Sequence, residues 1–443
     1  MEAERAIGEI SLKRAKRILI GVLCFLLLLA SWFISVTAKS TLEKQSELMS
    51  RAEDLINEGI YIRAVPLLEE AAGYNTKLTA EAEEKLKEAY IALMETRGYK
   101  RKYTNLLTEQ MKRPDAPARI FEEAAAFYLR TSKTAEALAV LKTGIGKTGS
   151  ERLIAMYEGN RYAYETNRVE YDSVTTIHDS KIQVETDGLW GLASSRGNLL
   201  VPCEYDKIST FSADRAIVKK GDEIYSVNID NNRVAMLKET AIDFGNYAND
   251  RIPLLIDGEW KRATGEFAIG TVPFEKLGMY SGGYAPAKTG GKWGVVDLAQ
   301  NWLIPPEYDE IIQDELGRCF AQGAIFARKN GTVHLFAEGR QTEEEFDDAR
   351  PFSDEGYAAV KRNGKWGFID AAGTVAIGFR FDDALSFGQH LAAVEQDGLW
   401  GYIALNGQTA IEHKYLEAKS FSNGSAQVLT QRGWEFITLL EYK

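Results

Sequence analysis

Cysteine and histidine are scarce, with three and four residues respectively in a chain of 443. Cys24 sits in an apolar run, while Cys203 and Cys319 stand far apart, with no CxxC pair and no metal-ligand spacing. Neither a disulfide framework nor a zinc site is specified. Both later cysteines are expected to be buried or partly buried free thiols, and a single disulfide between them is the alternative. His178, His334, His390 and His413 fall in no HExxH and in no pair at ligand spacing, so they read as surface or turn residues. No GxSxG elbow and no Cys/His/Asn set occurs, so no nucleophilic triad is indicated. No catalytic residue, cofactor site or metal site is therefore expected. Excess positive charge is also lacking. The net charge is −11, and because residues 1–17 hold five basic and three acidic side chains, the remainder carries −13. Phosphate-rich partners reward clustered Lys and Arg, so no nucleic-acid partner is expected. The same balance gives no attraction to anionic wall polymers or lipids.

Long hydrophobic runs are absent but for one. Residues 18–38 hold no charge and span roughly 30 Å as a helix, the thickness of a bilayer core. Lys13, Arg14, Lys16 and Arg17 precede the run, which predicts a cytoplasmic tail over 1–17, a transmembrane helix over 18–38 and an extracytoplasmic remainder. Trp32 fits an interfacial anchor. The alternative is a cleavable signal peptide ending at Val36-Thr37-Ala38.

From about 41 to 166, apolar residues recur at helical spacing and no stretch reads as a strand. Leu48, Ala52 and Leu55 line one helix, and Ala64, Leu67, Leu68 and Ala71 line the next. Glu81 to Leu93 and Ile120 to Leu129 follow. Ala52, a turn at Gly59, then Ala64, Leu68 and Ala71 are echoed by Ala125, a turn at Ser132, then Ala137, Leu141 and Gly144. Small residues at these places let paired helices approach. The pattern resembles tetratricopeptide repeats, with Tyr103 in a degenerate middle copy where Ala is expected. A plain stack of helical hairpins is the other reading. The run Thr143 to Thr148, TGIGKT, invites comparison with a phosphate-binding loop. Leu141 stands where that loop needs Gly, and the run ends a helix instead of opening one.

From about 172 to 443 the chain changes character. NGKWGFID (363–370), DGLWGYIA (397–404), GGKWGVVD (290–297) and DGLWGLAS (187–194) are copies of one unit, with DGEWKRAT (257–264) and RGWEFITL (432–439) as weaker ones. KGDEIYSV (220–227) and NGTVHLFA (330–337) fall on the same beat without Trp. The repeat positions are Trp190, Gly191, Trp260, Trp293, Gly294, Trp366, Gly367, Trp400, Gly401 and Trp434; Lys261 and Glu435 replace the glycine in the weaker copies. Asp-Gly or Asn-Gly, at 187–188, 257–258, 363–364 and 397–398, makes a tight hairpin turn before the Trp strand. An aromatic-acidic pair keeps the same beat at Tyr205-Asp206, Tyr308-Asp309, Phe346-Asp347 and Phe381-Asp382.

This unit resembles the bacterial WG repeat, also called the KWG repeat, over about 270 residues. The family is defined by its motif, so the resemblance implies little about ligand. Eight hairpins separated by seven intervals suit a propeller-like ring of about seven units, with an open twisted β-array as the alternative. The expected fold class is thus multidomain: one transmembrane helix, tetratricopeptide-like α-hairpins, then an antiparallel β-array. Two functions remain in view. One is a non-catalytic, membrane-anchored scaffold binding an unknown protein or cell-wall component. The other is an envelope carbohydrate hydrolase using Asp206, Asp309, Asp347 and Asp382 on one rim. The cluster Glu343-Glu344-Glu345 with Asp347-Asp348 lacks calcium-loop spacing and reads as a solvated loop.

Overall fold

Helical spacing of apolar residues continues to Leu153, and helices form throughout that stretch. A computed structural model of the protein describes residues 2–238 and 240–442, with side chains from residue 23 onward apart from 24, 33–36, 38, 239 and 442. The chain divides into two compact units, Met1–Tyr157 and Glu158–Lys443. In the first, α1 (Glu2–Asn57), α2 (Tyr61–Ala72), α3 (Thr79–Ala92), α4 (Tyr99–Lys112), α5 (Ala118–Arg130), α6 (Thr134–Thr148) and α7 (Glu151–Glu158) follow one another. Ala52, Ala64, Leu68, Ala124, Ala125, Ala137 and Leu141 are fully buried, so backbones approach where side chains are small. Tyr103 is buried as well, its hydroxyl donating to Glu123 Oε1 at 2.8 Å. In the TGIGKT run, Gly144 is where α6 meets Phe121, whose side chain a Cβ would touch at 2.7 Å. The left-handed residue that ends the helix is Gly149, not Gly144 or Gly146.

The run expected to cross a membrane, 18–38, belongs to α1. The side chains of 18–22, 24, 33–36 and 38 lie outside the described residues. Among the described residues, no helix is long and apolar enough to cross a membrane.

The second unit is a ring of eight antiparallel sheets. Blade 1 spans 173–205, blade 2 207–236, blade 3 241–263, blade 4 276–308, blade 5 310–346, blade 6 348–381, blade 7 383–415 and blade 8 417–439. Each has four strands except blade 3, which has three. The fourth strand of blade 8 is Tyr164–Arg168, paired with Gly433–Leu439. The ring therefore closes with eight blades and not about seven. Each Trp-strand hairpin forms its own blade. The strand that completes the last blade comes from upstream of the first hairpin and overlaps the end of the stretch, 41–166, read from sequence as helical. Blades 8 and 1 share a core in which Trp434 and Phe436 meet Ile182, Val184 and Ala193.

Each Trp packs toward the next blade. Trp366, for example, lies with Phe381, Ala384, Phe387 and Val394 between blades 6 and 7. Its cross-strand partner is the aromatic of the aromatic-acidic pair: Trp190 faces Tyr205, Trp293 faces Tyr308, Trp366 faces Phe381 and Trp400 faces Tyr415. One residue further on, the fourth strand bulges and drives its backbone against the third. A Cβ on Gly367 or Gly401 would lie 2.7 Å from the carbonyl oxygen of Ile377 or Ile411; Gly191 and Gly294 meet Val201 and Ile304 in the same way. Pro202 and Pro305 lie in these bulges, where the ladder is already broken. Units lacking the glycine lack this bulge. Glu435 pairs in unbroken register with Arg168, and Lys261 belongs to the three-stranded blade. In blade 5 the irregularity falls one residue later, between His334 and Phe336. The acidic cluster at 343–345 is strand, not loop: it lies in Arg340–Phe346, with Glu344 paired to Arg362 at 2.7 Å.

Two substitutions test this geometry by thermal unfolding. Gly367→Ala should cost about 1–3 kcal/mol, because a backbone oxygen blocks the new methyl. Glu435→Ala, on an unbulged strand, should change stability by less than about 0.5 kcal/mol.

Candidate binding surfaces

The repeated aspartates are the first residues to place. They do not converge on a cleft; each accepts a backbone N–H from the next hairpin turn, which precedes a Trp strand for Asp347 and Asp382 and a Trp-less strand for Asp206 and Asp309. Asp206 Oδ2 accepts from Gly221 at 2.7 Å, Asp309 from Asn330 at 2.7 Å, Asp347 from Gly364 at 3.0 Å and Asp382 from Asp397 at 2.9 Å. Asp172 and Glu275 cap the turns at Asp187 and Gly291 likewise. Two also hold the lysine of a KWG copy: Lys292 with Asp309 and Lys365 with Asp382, both at 2.5 Å. Lys292 and Lys365 hold these two carboxyls below their ordinary range, and the turn amides add to the effect. A general acid needs the opposite shift. Among the described residues, the raised carboxyl is Glu395, through partial burial and then the charges of Asp383 and Asp382.

The ring axis is the second place to look, since propellers surround a central channel. The loop after the first strand holds six or seven residues in seven of the blades, but twelve in blade 5, 312–323. Blade 5 stands opposite blade 1 in a ring of eight, and this loop reaches across. Thr176 of blade 1 donates to Glu315 Oε2 at 2.9 Å, and Lys419 of blade 8 pairs with the same oxygen at 3.2 Å. Asn246 of blade 3 donates to the Leu316 carbonyl at 2.9 Å, and Leu316 packs with Ala248 and Met279 of blades 3 and 4. Burial works against the charge on Lys419, but Glu315 and Glu417 overcome it and raise its pKa. His178, beside this loop, is lowered chiefly by burial. The first strands thus face an axis that a polypeptide segment crosses. Nothing in the repeat pattern marks this insertion; the signal available was its length between Asp309 and the next hairpin.

The third place is a cleft of about 940 Å³ where residues 158–164 run beside the fourth strand of blade 7. Tyr162, Tyr164, Asn406, Gln408, Glu412 and Lys414 line it. The Tyr164 hydroxyl is fixed by Lys414 at 2.8 Å and by the Tyr415 hydroxyl at 2.9 Å. None of these residues stood out in the sequence, because the cleft joins the closing strand to a blade remote in the chain.

Cys203 and Cys319 are free thiols, half-buried and buried. His390 is exposed and His178, His334 and His413 are half-buried, and the described residues hold no cluster of metal-ligating side chains.

The turn caps yield a prediction. Asp382→Ala and Asp309→Ala should lower the melting temperature at pH 7, whereas Asn, whose amide oxygen still accepts, should retain most of it. Both native carboxyls have depressed pKa values. Their contribution is therefore present above the ordinary carboxylate range and lost as pH falls through the depressed values. In a melting series taken down to about pH 2, the difference between wild type and Asp382→Ala should narrow to the difference between Asp382→Asn and Asp382→Ala, because the protonated carboxyl still accepts the turn amide but loses the Lys365 ion pair.

No curated protein matches the chain. Among solved structures, it is similar to the WD40 domain of Neurospora crassa Pan2, at 11% identity and a TM-score of 0.34, covering 60% of this chain and 88% of that one. It is also similar to the dihydro-heme d1 dehydrogenase NirN in complex with DHE, at 9% identity and a TM-score of 0.35, covering 59% and 69%. The family described as WG containing repeat matches residues 190–223, 274–293, 293–332, 345–366, 366–400 and 400–432. Six stretches between residues 190 and 432 are thus similar to the WG containing repeat, and 224–273 and 333–344 lie outside the matches.

Proposed function

We propose that this chain is a non-catalytic binding protein or scaffold, displaying a WG-repeat ring and a tetratricopeptide-like helical unit to a protein or cell-wall partner. The observation that carries this reading is the use of the repeated carboxylates. Each that could have formed a hydrolytic pair is committed to a turn amide. With its axis crossed by residues 312–323, the ring offers its rim, its two faces and the cleft at 158–164 to a partner. That cleft has the size of a site for a small ligand or a chain segment, and its tyrosines and amides suit a polar, uncharged one.

The reading places the protein in the cytoplasmic membrane, single-pass, with the bulk of the chain outside. Its support is the exposed apolar surface of α1, where Leu23, Phe25, Leu26, Leu27, Leu28, Leu29 and Trp32 are each 45–70% exposed. Soluble proteins seldom leave so contiguous a patch uncovered.

Crosslinking in intact cells, followed by purification of the full chain, tests the proposal. A specific partner should be recovered with wild type and lost when Tyr162 and Gln408 are both changed to Ala. Turnover of peptidoglycan or polysaccharide by the pure chain, abolished by one Asp→Asn change at 206, 309, 347 or 382, would overturn it. An alkaline carbonate wash that releases the chain from membranes would remove the anchor alone.

A further inference from the structure

One blade interface keeps three buried polar groups without a partner among the described residues. Tyr280, in blade 4, is 1% exposed, and its hydroxyl makes no hydrogen bond. Arg251 Nε of blade 3 and Gln300 Nε2 of blade 4 are likewise buried and unpaired. The groups share one place. Arg251 flanks Ile252, whose neighbour Pro253 pairs with Arg262, so both guanidinium side chains stand on the face turned to blade 4. A Cβ on Gly270 would lie 3.6 Å from Gln300 Oε1 and 3.9 Å from Arg262 Nε. Burial pushes the Tyr280 hydroxyl up to about 12, while the charges of Arg262 and Arg251 pull the other way.

The ring supplies its own comparison one interface earlier. Between blades 2 and 3, Arg215 pairs with Glu266 and donates to the Gly265 carbonyl, and the Tyr247 hydroxyl donates to Asp250 Oδ1 at 3.0 Å. The two interfaces align by bridge and turn. The bridges Ser212–Arg215, Ala248–Arg251 and Ser281–Tyr284 set Arg251 level with Arg215, Tyr280 level with Tyr247 and Gly283 level with Asp250. Thr264 and Asp297 each cap the amide four residues on, at Ala268 and Asn301, and Phe267 and Gln300 both have positive φ. Ala299 is therefore level with Glu266. Both acids of the earlier interface are missing from the later one. A further guanidinium has been added, since Arg262 takes the Leu298 carbonyl that corresponds to Gly265.

The two carboxylates that remain nearby are already committed. Asp250 serves Tyr247 and the Gly265 amide, with Arg251 Nη1 at 3.4 Å, and Asp297 serves the Asn301 amide and side chain. A buried donor left unpaired costs about 1–3 kcal/mol, and guanidinium with phenol and amide donors suits an oxyanion above other ligands. We propose that the interface between blades 3 and 4 binds a compact oxyanion, a carboxylate or phosphate group, held by Arg251, Arg262, Tyr280 and Gln300. The ligand supplies the negative charge that Asp250 and Glu266 supply one interface earlier. The oxyanion is either free in solution or the end of a partner's side chain. Arg251 and Gln300 are half-buried and give access from the surface.

The test uses the full chain and two variants. Inorganic phosphate and acetate are titrated separately by calorimetry, with melting followed in parallel. Wild type should bind at least one of them and melt roughly 3 °C higher when it is saturating. Ala299→Glu restores the acid of the earlier interface; it should melt higher without ligand and bind at least about tenfold more weakly. Tyr280→Phe should weaken binding similarly yet not lower the ligand-free melting temperature, since its hydroxyl has no partner to lose. Tyr247→Phe, which does lose a partner, should lower it. Binding of phosphate places the natural ligand among phosphoryl groups, and binding of acetate alone among carboxylates. No heat with either probe, or binding that both variants retain, would overturn the proposal.

Discussion

The contact on which the ring depends is a backbone carbonyl pressed against a glycine. In blades 1, 4, 6 and 7 the outer strand bulges one residue past the Trp, and its oxygen occupies the space a Cβ would need. The bulge turns the outer strand so that the following aromatic comes back across from the Trp, and the acid after it reaches the next hairpin turn. Trp, Gly, aromatic and acid are thus four parts of one device. The Trp fills the interface to the next blade, the Gly admits the bulge, the aromatic seals the Trp, and the acid fixes the turn. The parts are also lost singly: blade 7 keeps Trp400, Gly401 and the bulge without the acid, and blade 5 keeps Phe346 and the capping Asp347 without Trp or Gly. Tyr415 is followed by Leu416 in place of an acid, and the lysine that would meet an acid there is Leu399.

This explains which features could be read from the sequence. The hairpins follow from local chemistry, because each spans fewer than about twenty residues of chain, and the Trp beat is legible because it recurs at a fixed interval of 33 or 34 residues or about twice that. The blade number did not follow, because it depends on which distant segment completes the last sheet. Tyr164–Arg168 has only one partly buried residue and no alternation, so nothing in it announces a strand. Its pairing with Gly433–Leu439 supplies the order that its own sequence lacks. The axial loop was hidden for a similar reason: Glu315 and Leu316 gain meaning from Thr176, Asn246 and Lys419, which lie far away in the chain. The acidic stretch 343–345 misled because like charges suggest a solvated loop, whereas an outer strand tolerates them on its exposed side.

The two forms of long-range contact answer one problem. An eight-bladed ring has blades that touch only their neighbours, much as in a linear repeat array, and its middle is otherwise open. Closure by Tyr164–Arg168 removes the two free ends. The loop 312–323 adds cross-ring links to blades 1, 3, 4 and 8, so that sheets which share no edge are held in register. A widened ring must part Glu315 from Lys419 and withdraw Leu316 from Met279.

Such an arrangement also dictates an order of assembly. Blades 1 to 7 each draw on about 23–37 consecutive residues, and their hairpins can form locally. Blade 8 cannot be completed until residues 433–439 meet residues 164–168, some 270 positions apart in sequence. Because loop-closure entropy rises only with the logarithm of length, that last pairing is affordable once seven blades have already curved the chain into an arc. It would be very slow from an unfolded chain, where parallel mispairing of near-identical hairpins competes. The differences among the copies then acquire a purpose. Units that have lost the Trp or its glycine, at blades 2, 3, 5 and 8, break the self-similarity that would let one hairpin take another's place. The least regular interface, between blades 3 and 4, is where the ring has exchanged internal ion pairing for a set of donors left to an outside ligand.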